Sequence, residues 1–319
     1  MIKLSANTKS PKCMKDIFTE ALLEFGAEDE RVVVLDADLA KPSGSAAFGA
    51  QYPNRFFDCG IMEANMAGCA AGLSDIGLIP FMHTFAAFAS RKCADQIFQT
   101  MCYPKANVKI IGTDPGVTAA LNGGSHMGME DMGILMGFQN ITLLEPADNV
   151  ALKALLKAVK DEWGVHYLRM YRRDNDSIYE EGSEFAIGKA NLLRDGADVT
   201  IIASGIEVRE ALTAAEQLAE KGLSARVVDM FTWKPLDEDM IVESAEKTGA
   251  IVVAENHSLN NGLGSAVAQA LARKRPVPAE FVGITEFGVV GNLDYLLPRF
   301  RLTANDIVSA AQRAVERKG

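Results

Sequence analysis

Glu63 opens a run of small residues, Glu63-Ala64-Asn65-Met66-Ala67-Gly68-Cys69-Ala70-Ala71-Gly72, which predicts a closely packed helix. A carboxylate at that place has two readings. It complements the positive end of the helix, or it handles a proton beneath an apolar ring, where burial raises its pKa. Downstream, Thr84-Phe85-Ala86-Ala87-Phe88 sets two rings at i, i+3, a spacing that serves a packed core as readily as a stacked ligand. His83, just before them, either relays a proton or packs, and stays outside the candidate set. His166 and His257 read as structural. Asp38, in the loop after an apolar run, is a helix cap or an acidic group beside a ligand. The five cysteines (Cys13, Cys59, Cys69, Cys93 and Cys102) are odd in number and form no CxxC pair. They predict reduced thiols in a cytoplasmic protein, with no metal framework. Cys59 and Cys69 flank Glu63 in surroundings that predict inert packing thiols. GxGxxG, GxxxxGK[ST] and HExxH are all absent, which argues against a self-contained dinucleotide, nucleoside-triphosphate or zinc enzyme.

The elements that must position these residues alternate along the chain. Runs 32–38, 78–85, 108–112, 141–145 and 166–171 are dense in Val, Ile and Leu without strict alternation, as expected of parallel strands buried on both faces. Stretches 16–26, 63–77, 90–102 and 149–162 carry helical periodicity between them. The polar stretch 172–188 breaks the pattern and is the expected linker. Alternation then resumes, with strands at 199–204, 225–230, 250–256 and 281–285 and helices at 206–221, 237–248, 264–273 and 303–317. The fold class is α/β with two doubly wound domains, 1–180 and a smaller 181–319. In such folds ligands bind beyond the carboxyl ends of strands.

Size and charge agree with that architecture. The 319 residues are 48% apolar and 23% charged, an ordinary globular composition of about two domains. The net charge of −10 argues against nucleic acid or an anionic membrane as a partner. No apolar run approaches a spanning helix, and the first residues lack a signal peptide's apolar stretch, so a cytoplasmic location is expected.

The segment 55–97 closely resembles the pyrimidine-binding domain of transketolases, thiamine-diphosphate enzymes that move two-carbon ketol units. The matches are ordered: Glu63-Ala64-Asn65-Met66, Pro80, Thr84-Phe85-Ala86-Ala87-Phe88 and Asp95-Gln96-Ile97, then Gly112, Gly116-Val117, Ser125, Glu130-Asp131 and Arg172. In the second half, 227–237 and 252–267 look like the family's C-terminal domain. The resemblance implies that Glu63 hydrogen-bonds N1′ of the aminopyrimidine and favours its imino form, the catalytic role. It implies that Phe85 and Phe88 stack about that ring, that Arg91 holds the next ring-contacting position, and that Asp38 lies near the cofactor.

On the substrate side the chain departs from the family. Asp114 and Asn122 stand where many members have His and Asp, and Leu121-Asn122-Gly123-Gly124 replaces Glu-Asp-Gly-Pro. A carboxylate at 114 is expected to repel a phosphate. His126 and Arg172 match positions that contact the sugar and its phosphate. Lys15 replaces an arginine there, keeping charge and losing bidentate geometry.

The family's diphosphate domain, with its Gly-Asp-Gly signature and Mg²⁺ ligands, has no counterpart in this sequence. The chain therefore resembles the C-terminal subunit of a split transketolase, with sugar or sugar-phosphate substrates. The resemblance implies a partner N-terminal subunit that carries the diphosphate and Mg²⁺ site, in an α₂β₂ assembly, and a homodimer when the chain is alone. The alternatives are the β-subunit of a 2-oxo acid dehydrogenase decarboxylating component, a 1-deoxyxylulose-5-phosphate synthase-like fragment, and a non-catalytic scaffold.

Overall fold

The computed structural model describes residues 2–6 and 9–318. Its strands are β1 (Val32–Asp36), β2 (Phe56–Asp58), β3 (Ile79–Phe85), β4 (Lys109–Thr113), β5 (Ile141–Leu144), β6 (Val165–Met170), β7 (Asn191–Arg194), β8 (Val199–Ala203), β9 (Ala225–Asp229), β10 (Thr232–Lys234), β11 (Ile251–Ser258) and β12 (Ala279–Ile284). One sheet has the order β10-β5-β6-β4-β3-β1-β2 and the other β12-β11-β8-β9-β7. All pairings are parallel except β10 on β5 and β7 on β9. Every residue of β1, β3, β4 and β6 is buried. Helices cover both faces, so these strands read as continuous apolar runs. Two α/β layers around parallel sheets are thus the observed class, as expected.

The expected boundaries hold within two residues for almost every element, including helices Met14–Glu28, Glu63–Asp75 and Asn149–Asp161. Helix Asn149–Asp161 shows why: Asp148 caps it by accepting from the Ala151 N–H, and Leu152, Leu155, Leu156 and Val159 fill one stripe. The stretch 90–102 is the exception. It divides into helix Ala86–Arg91, a turn Ala94–Gln96 and a π-helical turn Ile97–Cys102. The wider turn allows Ile97, Met101 and Cys102 all to be buried. Strands β2, β7 and β10 escaped the sequence reading because three or four residues carry no periodic pattern.

The stretch 172–188 is tied down rather than loose. Asp148 accepts from the Ile178 and Tyr179 N–H groups, and Ser5, Ser10 and Lys3 bond to residues 178, 175 and 183. Beyond it, β10 leaves the second half of the chain and pairs with β5 in the first sheet. Trp233 of β10 is buried against Arg169 and His257. A buried ring of that size contributes roughly 1.5–3 kcal/mol. Among the described residues, no helix is long and apolar enough to cross a membrane.

Candidate active site

Winding in the first sheet reverses at β1, which has β2 on one side and β3 on the other. A crevice at such a reversal is the usual ligand site of an open α/β sheet. The carboxyl ends that surround it bring Asp36, Phe85, Asp114 and Arg172 into one neighbourhood.

Glu63 begins helix Glu63–Asp75 and is buried, 3% exposed. Lys92 Nζ donates to both carboxylate oxygens at 2.9 Å each. The same ammonium lies 4.2 Å from the centre of the Phe88 ring. Lys92 was missed in the sequence. Its spacing four residues after Phe88, on the same helical face, was the available signal.

Phe85 is buried at the end of β3, and Phe88 follows one turn into helix Ala86–Arg91. Their rings meet edge to face at 6.0 Å, and the His126 ring packs on both, at 5.9 and 5.1 Å. The three rings form one cage, so the candidate sugar-contacting histidine belongs to the same cluster as the candidate cofactor rings. Arg91 does not join this cage through its guanidinium. It donates to the Ser125 and Met127 carbonyls and pairs with Glu130 at 3.0 Å, bracing the loop that carries His126.

Asp114 is fully buried in a left-handed turn, φ 52°, and Arg172 Nε donates to it at 2.5 Å. Burial raises its pKa, and the Arg172 guanidinium acts in the opposite direction. In this structure the carboxylate is engaged by Arg172. That guanidinium also lies over the Phe85 ring at 5.0 Å. Lys15, Arg172 and Arg173 line one surface hollow with Cys13, Pro42 and Asp174. Asn122 is exposed at the end of the 3₁₀ segment Gly116–Asn122. Asp38 is exposed with φ 59°, and its N–H donates to Asp58. The neighbouring Asp36, not Asp38, bonds the turn by accepting from the Leu39 N–H.

Beneath the crevice His83 is fully packed, between Asp36 at 2.9 Å and Thr113 at 3.1 Å. His166 is buried and held neutral, its pKa lowered to about 3 by burial and the nearby Lys109 ammonium. His257 is likewise lowered to about 4, chiefly by burial, and accepts from the Gly133 N–H. Cys59 is pushed up to about 11 by burial, in line with an inert thiol, whereas Cys69 is exposed rather than packed. No cluster of metal-ligating side chains occurs among the described residues.

The second half of the chain reaches into this site, which the sequence did not announce. Asn256 Oδ1 accepts from the Val117 N–H, and its Nδ2 donates to the Pro115 carbonyl. Those two bonds clamp the turn directly after Asp114. Gly116 must be glycine there: its φ is +54°, and a Cβ would lie 2.2 Å from Asn256 Oδ1. A Cβ on Gly124 would lie 2.4 Å from the Gly288 carbonyl oxygen, so the loop that bears Asn122 rests directly on residues 288–290.

Comparison with known proteins gives two family-model matches: the transketolase pyrimidine-binding domain over residues 11–175, and the transketolase C-terminal domain over 188–307. The chain is 48% identical over 306 residues to a 6-deoxy-6-sulfo-D-fructose transketolase subunit of Clostridium sp. (strain MSTE9), covering 96% of this chain and 95% of that one. It is 41% identical to a putative transketolase C-terminal section of Methanocaldococcus jannaschii, over 99% of this chain and 98% of that one. A solved structure described as a split-gene transketolase, an inactive β₄ tetramer, superposes with a TM-score of 0.89 at 40% identity, covering 97% of this chain and all of that one.

Proposed function

The chain belongs to the transketolase family, and from that premise we propose that it is the C-terminal subunit of a split transketolase, moving a two-carbon ketol unit from a ketose to an aldose. The observation that carries the reading is a buried carboxylate, Glu63, set beside the cage of Phe85, Phe88 and His126 at the reversal point of the sheet. The subunit names of its relatives favour this over a dehydrogenase β-subunit.

Thiamine diphosphate, when bound, supplies the carbon nucleophile and electron sink for the transfer. The residues present fit its aminopyrimidine: a buried acid for a ring nitrogen and a half-buried ring, Phe88, for its face. Glu63 would hold or release a proton at its carboxylate while the apolar walls exclude water. Arg91 keeps the His126 loop in register. Mg²⁺ and the diphosphate would be held by a partner N-terminal subunit, in an α₂β₂ enzyme. A β₄ relative described as inactive supports the view that this chain alone does not turn over. Five cysteines without a disulfide support a reducing, cytoplasmic setting.

Lys15, Arg172 and Arg173 would read a terminal anion on the donor, phosphate or sulfonate, with Asp114 fixing the arginine. The name of the 48% identical relative makes a sulfonated ketose worth testing. The test is to mix the chain with a candidate N-terminal subunit, thiamine diphosphate and Mg²⁺, then assay ketol transfer across phosphorylated, sulfonated and neutral ketoses. Activity in the mixture alone supports the split enzyme. Activity from this chain alone overturns it.

A further inference from the structure

We propose that Lys92 is a built-in competitor for the cofactor's aminopyrimidine, guarding Glu63 while the half-site is incomplete and withdrawing when the ring enters. The proposal rests on the reading of Glu63 and Phe88 just given and goes beyond it. A carboxylate that is 3% exposed has little room for partners, and one ammonium bridges both of its oxygens at 2.9 Å. That ammonium also takes the Phe88 face, 4.2 Å from the ring centre. The acid and the aromatic face that a flat, nitrogen-bearing ring would use are thus both held by one side chain. Ammonium and ring cannot approach the same oxygens from the same side.

The physical reason for such a guard lies in the half-site. A buried carboxylate with no partner is costly, and in a lone subunit no ring arrives to pair with it. Lys92 offsets that cost without closing the site for good. Its side chain is 43% exposed, and its long stem can carry the ammonium out into water. Position 92 is the C-cap of the short helix Ala86–Arg91, at the junction with the next helical segment, Ala94–Gln96. Cofactor binding must therefore break the Glu63–Lys92 pair. Partial exposure of the lysine keeps the penalty modest, up to about fivefold in affinity.

The experiment is calorimetric titration of thiamine diphosphate, in saturating Mg²⁺, into the assembled two-subunit enzyme carrying wild-type, Lys92→Met or Lys92→Arg chains. Lys92→Met keeps an apolar stem and removes the charge, and is expected to bind the cofactor about three- to fivefold more tightly than wild type. Lys92→Arg keeps a cation and is expected to stay within about twofold of wild type. Equal or weaker binding by Lys92→Met overturns the proposal, as does equal tightening by both variants. If Lys92→Met does not fold, Lys92→Gln decides by the same criterion. A wild-type assembly that binds no thiamine diphosphate overturns the functional reading and this proposal with it. Binding by wild type with no response at position 92 overturns this proposal alone.

Discussion

Glu63 and Asp114 are both buried acids, and their partners give them different tasks. Glu63 faces an ammonium that can leave, whereas Asp114 is locked to Arg172 by a 2.5 Å bond and a turn of positive φ. Glu63→Gln is accordingly expected to lower ketol transfer at least a hundredfold with subunit assembly intact, because proton handling by a positioned side chain is worth about that much. Steady-state assays beside gel filtration of the mixture check both halves of that statement. Asp114→Asn releases the arginine without removing it. The expected outcome is a rise in KM for an anionic donor of about tenfold, from a weakened charge-assisted bond, with kcat changed far less. Equal KM for the two enzymes would break the link between Asp114 and the donor's anion. The sequence singled out both positions as candidates and read Asp114 by its charge alone. Repulsion of a phosphate followed from its charge, and its pairing with Arg172, distant in the chain, could not be seen there.

At the scale of elements, the ends of strands decide what the side chains meet. At the amino end of β4, opposite the crevice, Lys109 is fully buried and donates to Asn107, the Glu162 and Gly164 carbonyls and His166. Burial lowers its pKa to about 7. Below about pH 7 the folded lysine bears its charge and the burial cost in full. Between that value and the ordinary 10.5, the unfolded chain binds a proton the folded chain has lost, so this group makes stability rise with pH. The rise is at most about 1.4 kcal/mol per pH unit. Urea unfolding at pH 7 and 9 should show it in the difference between wild type and Lys109→Met, and a pH-independent difference would refute it. The turn after β4 depends on Asn256. Asn256→Ala leaves the Val117 N–H and the Pro115 carbonyl unpaired in the interior. A loss of about 1–3 kcal/mol in urea unfolding is expected.

Across the whole molecule, the two halves share a sheet through β10. β10 completes the first sheet, and Arg169 of that sheet lies fully buried between Asp131 and Glu145, both at 2.9 Å, and the Asn256 carbonyl. Ser204 of the second half donates to Glu145 at 2.6 Å. Cutting the chain after Ile187 removes β10, Trp233 and Asn256 together. It opens β5 as a bare edge and leaves Glu145 without Ser204. The truncated first half is therefore expected to be recovered as aggregate, or to lose its cooperative unfolding transition. A soluble fragment with a sharp transition would show the shared sheet to be dispensable.

By itself the sequence determined the α/β class, most element boundaries and the family. Those rest on local patterns: apolar runs of buried parallel strands, 3.6-residue periodicity, and an ordered set of motifs from Glu63 to Arg172. Through the resemblance it singled out Phe85, Phe88 and Glu63 as candidates, and these lie at the end of a strand, in the helix that follows it and at the start of another helix. Only the tertiary structure decided the partners. Lys92 covers Glu63, Arg172 neutralises Asp114, Arg91 braces a loop instead of joining the ring cage, and Asn256 holds a turn more than a hundred residues away. Periodicity reports which way a side chain points relative to its own element, whereas a pairing across elements depends on how those elements are packed, and no local pattern encodes that.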